Sequence, residues 1–225
     1  MILTFDDGYL DTYHFAYPIL REFGMKGVVF VLGDREIKTN IWDQHLGLPA
    51  APLMEARQIV EMHAAGFEIG AHSMSHAKLT TLSREEAWEE IARARMVLEI
   101  FVNSAVRSFA YPYGLVNDTI KRMVSDAGYT MACSVFTGPA TFGVEPYEIR
   151  RIAIQSTTST VGFGMRLLTP FQSYEWIRWK AIYGLSVFDG RRSWNGQAMW
   201  EKKCEANSAI SQSKIGNDKA SERST

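Results

Sequence analysis

The chain has 225 residues, 46% hydrophobic and 22% charged, enough to bury one substantial core, so one domain or at most two is expected. Its formal net charge is -1 and no basic run exceeds two residues, which excludes the electrostatic footprint of a nucleic-acid or anionic-membrane partner. With only Cys133 in an apolar run and Cys204 in a polar tail, neither a disulfide framework nor a thiolate metal site is suggested, and no apolar stretch reaches the roughly 18 residues of a membrane-spanning helix.

The first predicted strand is "ILTF" at 2–5, running straight from Met1 with no basic or apolar leader; upstream sequence, or a barrel open at this leading edge, is therefore expected. Asp6, Asp7 and Gly8 follow at once, and adjacent carboxylates repel unless a cation or a shared proton offsets them. A helix at 14–23, with Asp11 as its capping candidate, stops before Gly24 and leads to the strand "GVVFVL" at 27–32. Residues 34–52 read as a loop-like insert carrying Trp42, Asp43 and His45, long enough to lie across a barrel mouth.

A helix at 53–65 ends at Gly66 and precedes "FEIGA" at 67–71, after which "HSMSH" sets His72 and His76 four residues apart. The helix at 84–102 has the clearest start, with Ser83 as N-cap and Glu86 three residues on, a capping box. Next come the strand "VRSFAY" at 106–111 and the turn Pro112-Tyr113-Gly114. A helix at 117–127 ending at Gly128, strands at 129–135 and 149–154, and a weaker helix at 160–168 complete the pattern. In "YEWIRWKAIYG", Trp176, Trp179 and Tyr183 fall at i, i+3 and i+7, which predicts an aromatic helical extension over 171–200; the Ser-, Lys-, Asn- and Glu-rich tail at 201–225 is expected to be disordered.

Short β-rich runs alternating with amphipathic ones define an α/β domain with parallel strands over about 1–170. A barrel is favoured over an open doubly wound sheet for two reasons. No glycine-rich phosphate loop follows the first strand, and polar clusters follow several different strands, as where loops build a site at one mouth.

His72, His76 and one aspartate of the Asp6-Asp7 pair make a three-ligand set with open positions, suited to a divalent ion that activates water. A turn at Gly8 is expected to swing both carboxylates toward the mouth, so that one binds metal while its neighbour takes a proton. Tyr111 and Pro112, with Trp42 and His45 of the insert, form the expected substrate-binding wall, and the turn at Gly114 can present N–H groups to an oxyanion.

"TFDDG", "HSMSH" and "FAYPYG", in this order and each after a strand, resemble the polysaccharide deacetylases, carbohydrate esterase family 4 with its NodB-homology domain, over about residues 2–155. The resemblance implies a distorted (β/α)7-type barrel and metal-dependent removal of acetyl groups from N-acetylated, or in some members O-acetylated, sugars of a polysaccharide or oligosaccharide. By position it implies Asp6 as catalytic base, Asp7, His72 and His76 as metal ligands, and the Tyr113 backbone N–H as oxyanion donor. Zn²⁺ is the default from ligand type, with Fe, Co or Ni also suited.

The chain departs from the family pattern in two places. Where many members have arginine in the third motif, as FRPPYG, this chain has Ala110, and Arg151 of "EIRRIAI" is the expected partner of the base, because Arg150 and Arg151 alternate in facing. All five histidines lie at or before residue 76, so the late LxH histidine is absent and the acid falls to Asp6, a metal-bound water or His45. Two competing readings follow: a carbohydrate-binding homologue that keeps the metal and has lost turnover, and an Fe(II) facial-triad oxygenase, against which Asp6 and the oxyanion turn count.

Overall fold

A computed structural model describes residues 1–47, 49–134, 145–154 and 157–168. The predicted aromatic extension and the tail lie outside these residues.

Among the described residues five parallel strands form one sheet in the order of the chain: β1 (Leu3–Phe5), β2 (Gly27–Val31), β3 (Glu68–Ala71), β4 (Ser108–Ala110) and β5 (Met131–Cys133). Sequential order is what a barrel requires; a doubly wound sheet reverses direction at a switch point. The sheet is therefore the curled half of a (β/α) barrel, as expected. Helices α1 (Tyr17–Glu22), α2 (Ala56–Ala64), α3 (Arg84–Val102) and α4 (Asp118–Asp126) connect the strands, and α5 (Thr160–Leu168) follows.

Strand periodicity sorts side chains into two layers. On β2, Val29 and Val31 join the large core with Ile59, Met62, Ile91 and Leu98 of the helices, whereas Phe30 turns the other way onto Ala110 and Cys133 in a small interior cluster. Each fully buried aliphatic side chain on the helical side contributes roughly 1.5–3 kcal/mol, so the outer layer carries most of the stability. The interior is narrow: a Cβ built on Gly70 would lie 2.5 Å from the Phe30 ring and 2.7 Å from Ser108 Oγ, so β3 needs glycine there.

The third helix follows its sequence signals. Glu86 N–H donates to Ser83 Oγ at 3.2 Å and Ser83 N–H donates to Glu86 Oε2 at 2.9 Å, closing the capping box. Ala87, Ile91, Ala94, Leu98 and Val102 form its buried stripe, and Asn103 ends it in the left-handed region at φ 49°.

Two expectations are corrected. The first helix begins with a π-helical turn at Thr12–Ala16, and Asp11 makes no side-chain cap because its backbone is itself helical (φ -65°, ψ -28°). Among the described residues the sixth strand is reduced to one parallel bridge, Ile149 to Cys133, and Arg151 follows it in non-strand backbone.

The insert does cross the mouth. Leu10 N–H donates to Pro52 O at 2.9 Å, Leu53 N–H to Lys38 O at 2.8 Å and Met54 N–H to Gly8 O at 2.8 Å, which pin it over the turn that follows β1. Its 3-10 turn at Ile41–Leu46 hangs beside the strand ends.

Candidate active site

All strands of the sheet end at one edge, and Asp6-Asp7, His72 and the Tyr111–Gly114 segment leave the carboxyl ends of β1, β3 and β4 there, where parallel α/β folds hold their sites. A cavity of about 170 Å³ opens there, lined by Asp6, Asp7, Trp42, Asp43, His72, His76 and Tyr113. The turn expected at Gly8 already begins at Asp7, which has φ 69°. Ser73, His76 and Tyr113 also have φ near 60°. Left-handed backbone at non-glycine residues costs about 1–3 kcal/mol each, so four such residues around one cavity must be held by their surroundings.

The hold on "HSMSH" comes from all sides. His72 N–H donates to Val31 O at 2.9 Å, Gly33 N–H donates to Ser73 O at 2.9 Å, and His76 N–H donates to Ser73 Oγ at 3.0 Å. Glu90 of α3 accepts twice from Ser75, from N–H at 2.9 Å and from Oγ at 2.7 Å, while its backbone carbonyl accepts from Met74 N–H at 3.1 Å. Glu90 is therefore a positioning residue for His76, and nothing in the helical pattern of 84–102 distinguishes it from the other surface glutamates. Glu90→Ala is expected to weaken divalent-metal binding about ten- to a hundredfold, the usual effect of losing an outer-shell support. Glu90→Gln should recover most of it by keeping one acceptor, as competition with a chromophoric chelator would measure.

Asp7 Oδ1 lies 3.1 Å from His72 Nε2 and 3.2 Å from His76 Nε2. These three donor atoms all fall within 4.8 Å of one another, a group that could hold a metal ion. Burial alone would raise the Asp7 carboxyl, but the hydrogen bonds and charge of His72 and His76 outweigh it and hold it far below the carboxylate range. Burial disfavours the His72 imidazolium, yet Asp7 and Asp6 outweigh that and raise its pKa; at His76 burial prevails and lowers it.

The donor set fits a divalent cation. His72 Nδ1 meets Ala110 O at 2.7 Å, and if that nitrogen carries the proton, Nε2 presents a lone pair to Asp7 Oδ1. Two lone pairs facing one carboxylate oxygen repel unless a cation or proton sits between them, and an O,N,N set with open positions suits Zn²⁺ and neighbouring ions. His76 Nδ1 is buried and meets no hydrogen-bond partner among the described residues, so its ring is held by packing. Trp42 stacks on it at 4.2 Å and 18°, and Tyr113 meets it edge-on at 4.6 Å.

Asp6 faces a different partner. Arg151 donates from Nη1 to Oδ1 and from Nη2 to Oδ2, both at 2.7 Å, a bidentate pair. Its remaining donors reach Thr4 Oγ1 and Ser134 O, each at 3.0 Å, so one guanidinium ties β1 to the end of β5. Burial would lower the Arg151 pKa, but Asp6 overrides this and raises it. Arg150 turns away toward Glu148, 3.6 Å distant, in keeping with the alternation expected of the pair.

Other expected wall residues lie elsewhere. Tyr111 is fully buried in the core, its hydroxyl donating to Tyr147 O at 2.8 Å, and Pro112 is buried at the start of the turn. His45 is exposed on the insert and does not line the cavity, because the 3-10 turn that aims Trp42 and Asp43 inward carries it outward. Asp43, which the sequence reading places only on the insert, is part of the wall.

A half-barrel of parallel strands with its polar cavity at their carboxyl ends puts this chain among the (β/α)-barrel proteins. It belongs to the polysaccharide deacetylase family, whose profile matches residues 1–132. YxkH of Bacillus subtilis, a protein provisionally named polysaccharide deacetylase, is 27% identical over 164 residues, covering 73% of this chain and 54% of that protein. The poly-beta-1,6-N-acetyl-D-glucosamine N-deacetylase of Staphylococcus aureus is 24% identical over 161 residues, covering 68% of this chain and 53% of the enzyme. The chain thus spans about half the length of these curated relatives. Among solved structures, the Streptococcus pyogenes deacetylase PplD in complex with acetate superposes with a TM-score of 0.62 at 25% identity, over 73% of this chain and 69% of that one.

Proposed function

We propose that this chain is a metal-dependent hydrolase that removes acetyl groups from the sugars of an N-acetylated, or O-acetylated, polysaccharide or oligosaccharide. One observation carries the reading: an arginine-clamped aspartate, Asp6, shares a cavity with the Asp7-His72-His76 group. Metal ligation and proton transfer are thereby divided between neighbouring carboxylates.

Asp7, His72 and His76 would hold the cation, which when bound supplies Lewis acidity toward water and the acetyl carbonyl. Asp6 accepts the proton of the attacking water, using the lone pairs left over by Arg151. The Tyr113 N–H is assigned to the carbonyl oxygen as that atom gains charge. Asp6 then returns its proton to the leaving nitrogen or oxygen, since no histidine follows His76. Trp42 and Tyr113 hold the His76 ring in place by packing.

Acetate release from N-acetylglucosamine oligomers and from an O-acetylated xylan, after loading with Zn²⁺, Co²⁺ or Ni²⁺, tests the reading. Release that a chelator abolishes and metal restores is the expected result. Metal and glycan binding with no acetate released would instead make the chain a carbohydrate-binding homologue, the reading that the absent late histidine favours.

A further inference from the structure

We propose that Asp43 is a specificity-determining residue that pairs with the amine released on deacetylation, and so selects N-acetyl over O-acetyl groups. The proposal rests on the hydrolase reading above.

Among the described residues three carboxylates line the cavity, and they differ in what faces them. Asp6 is answered by the Arg151 guanidinium, and Asp7 by two imidazoles. The hydrogen-bond partners of Asp43 are neutral: Tyr9 Oη and Asn40 Nδ2 both donate to its Oδ2 at 3.4 Å. No ion pair forms at Asp43 among the described residues, and Oδ1 has no protein donor there. A carboxylate on a cavity wall, with one oxygen held and the other open, is complementary to a cationic or hydrogen-bond-donating group of a ligand.

The residue is fixed in place as well as charged. Asn40 is only 5% exposed, and its Oδ1 accepts from Ala51 N–H at 2.6 Å, while Asn40 N–H donates to Ala51 O at 3.2 Å. Tyr9 is bridged to Leu53 in an antiparallel pairing, so both donors to Asp43 sit on backbone that is itself tied down. The carboxylate is thus presented from the insert into the cavity that Asp6 and His72 also line.

The two substrate classes differ in the charge of their products. Water adds to the carbonyl carbon and the C–N bond breaks; both water protons end on nitrogen, so an amide R–NH–CO–CH3 yields R–NH3⁺ and acetate. Hydrolysis of an ester breaks C–O and yields a neutral alcohol, with acetate and a proton released. A fixed negative charge near the leaving atom favours the path that develops positive charge, and it does little for the path that does not.

The test compares the metal-loaded parent with Asp43→Asn and, in case that variant does not fold, Asp43→Ser. The ratio of kcat/KM on N-acetylglucosamine tetramer to kcat/KM on O-acetylated xylan is expected to fall at least tenfold. By calorimetry at neutral pH, binding of glucosamine tetramer should weaken at least tenfold, and binding of its N-acetylated counterpart by much less. Equal losses on amide and ester, or unchanged glucosamine binding, would overturn the proposal. So would a loss of metal affinity as large as that of His72→Ala, which would make Asp43 a ligand. A parent that hydrolyses neither substrate refutes the hydrolase reading, and the glucosamine titration then decides on Asp43 separately.

Discussion

Asp6→Asn is expected to bind divalent metal about as tightly as the parent and to release acetate at less than about one hundredth of its rate, since a positioned base contributes roughly 10²–10⁴. Asparagine keeps the shape of the side chain and can still accept from Arg151, but its amide does not take the water's proton. Metal loss in this variant, with metal retained in Asp7→Asn, would show that the two aspartates hold each other's roles. Acetate release and metal titration on one preparation separate the outcomes. Arg151→Met is the companion experiment. It leaves Asp6 without its bidentate partner and strips donors from Thr4 and Ser134. Removing one partner of a buried ion pair costs about 3–5 kcal/mol, and because Asp6 keeps 27% side-chain exposure the lower end is expected. Urea denaturation would read that loss, and Arg151→Lys should recover only part of it, because an ammonium does not reproduce the fork.

His72→Ala and His76→Ala should each reduce metal affinity by more than about a hundredfold, beyond what loss of an outer-shell group costs. The two variants should differ in stability. His72 anchors β3 to β4 through Ala110 O, so its loss leaves a buried carbonyl unsatisfied, at about 1–3 kcal/mol. His76 has no such bond, and its removal empties the space between Trp42 and Tyr113. In the metal-free protein Asp7 and Asp6 raise the His72 pKa against the effect of burial, so metal binding there competes with protonation. Affinity should therefore tighten as pH rises through the imidazole range and weaken below it. Calorimetry in buffers of different ionisation heat would count the proton released. Unchanged affinity in both histidine variants would remove this group as the metal site.

Much of this site could be read locally. Asp6, Asp7 and His72 follow strands directly, with His76 and Tyr113 a few residues on, and a residue just past a strand in a parallel fold emerges at the carboxyl-end mouth whatever the neighbouring strands are. Arg151 was legible for a weaker reason: Ala110 stands where arginine is common in the family, and alternation in "RR" put one guanidinium inward. That it reaches Asp6, 145 residues away, depends on how the sheet curls, which strand periodicity alone does not foresee. Tyr111 misled because an aromatic beside a turn looks the same whether its ring enters the core or lines a cavity.

The sequence by itself determined the alternation of strand and helix, the capped third helix, and the aspartates and histidines of the mouth. Each of these depends on spacing of a few residues and on backbone chemistry close in the chain. Only the tertiary structure decided that Glu90 grips Ser75, that Trp42 covers His76, and that Asp43 stands on the cavity wall while His45 does not. Those contacts join an insert, a helix and a strand end whose meeting is set by how the whole sheet curls. Directly after β1, the paired aspartates therefore read alike along the chain and differ in space: one faces an arginine, the other two imidazoles.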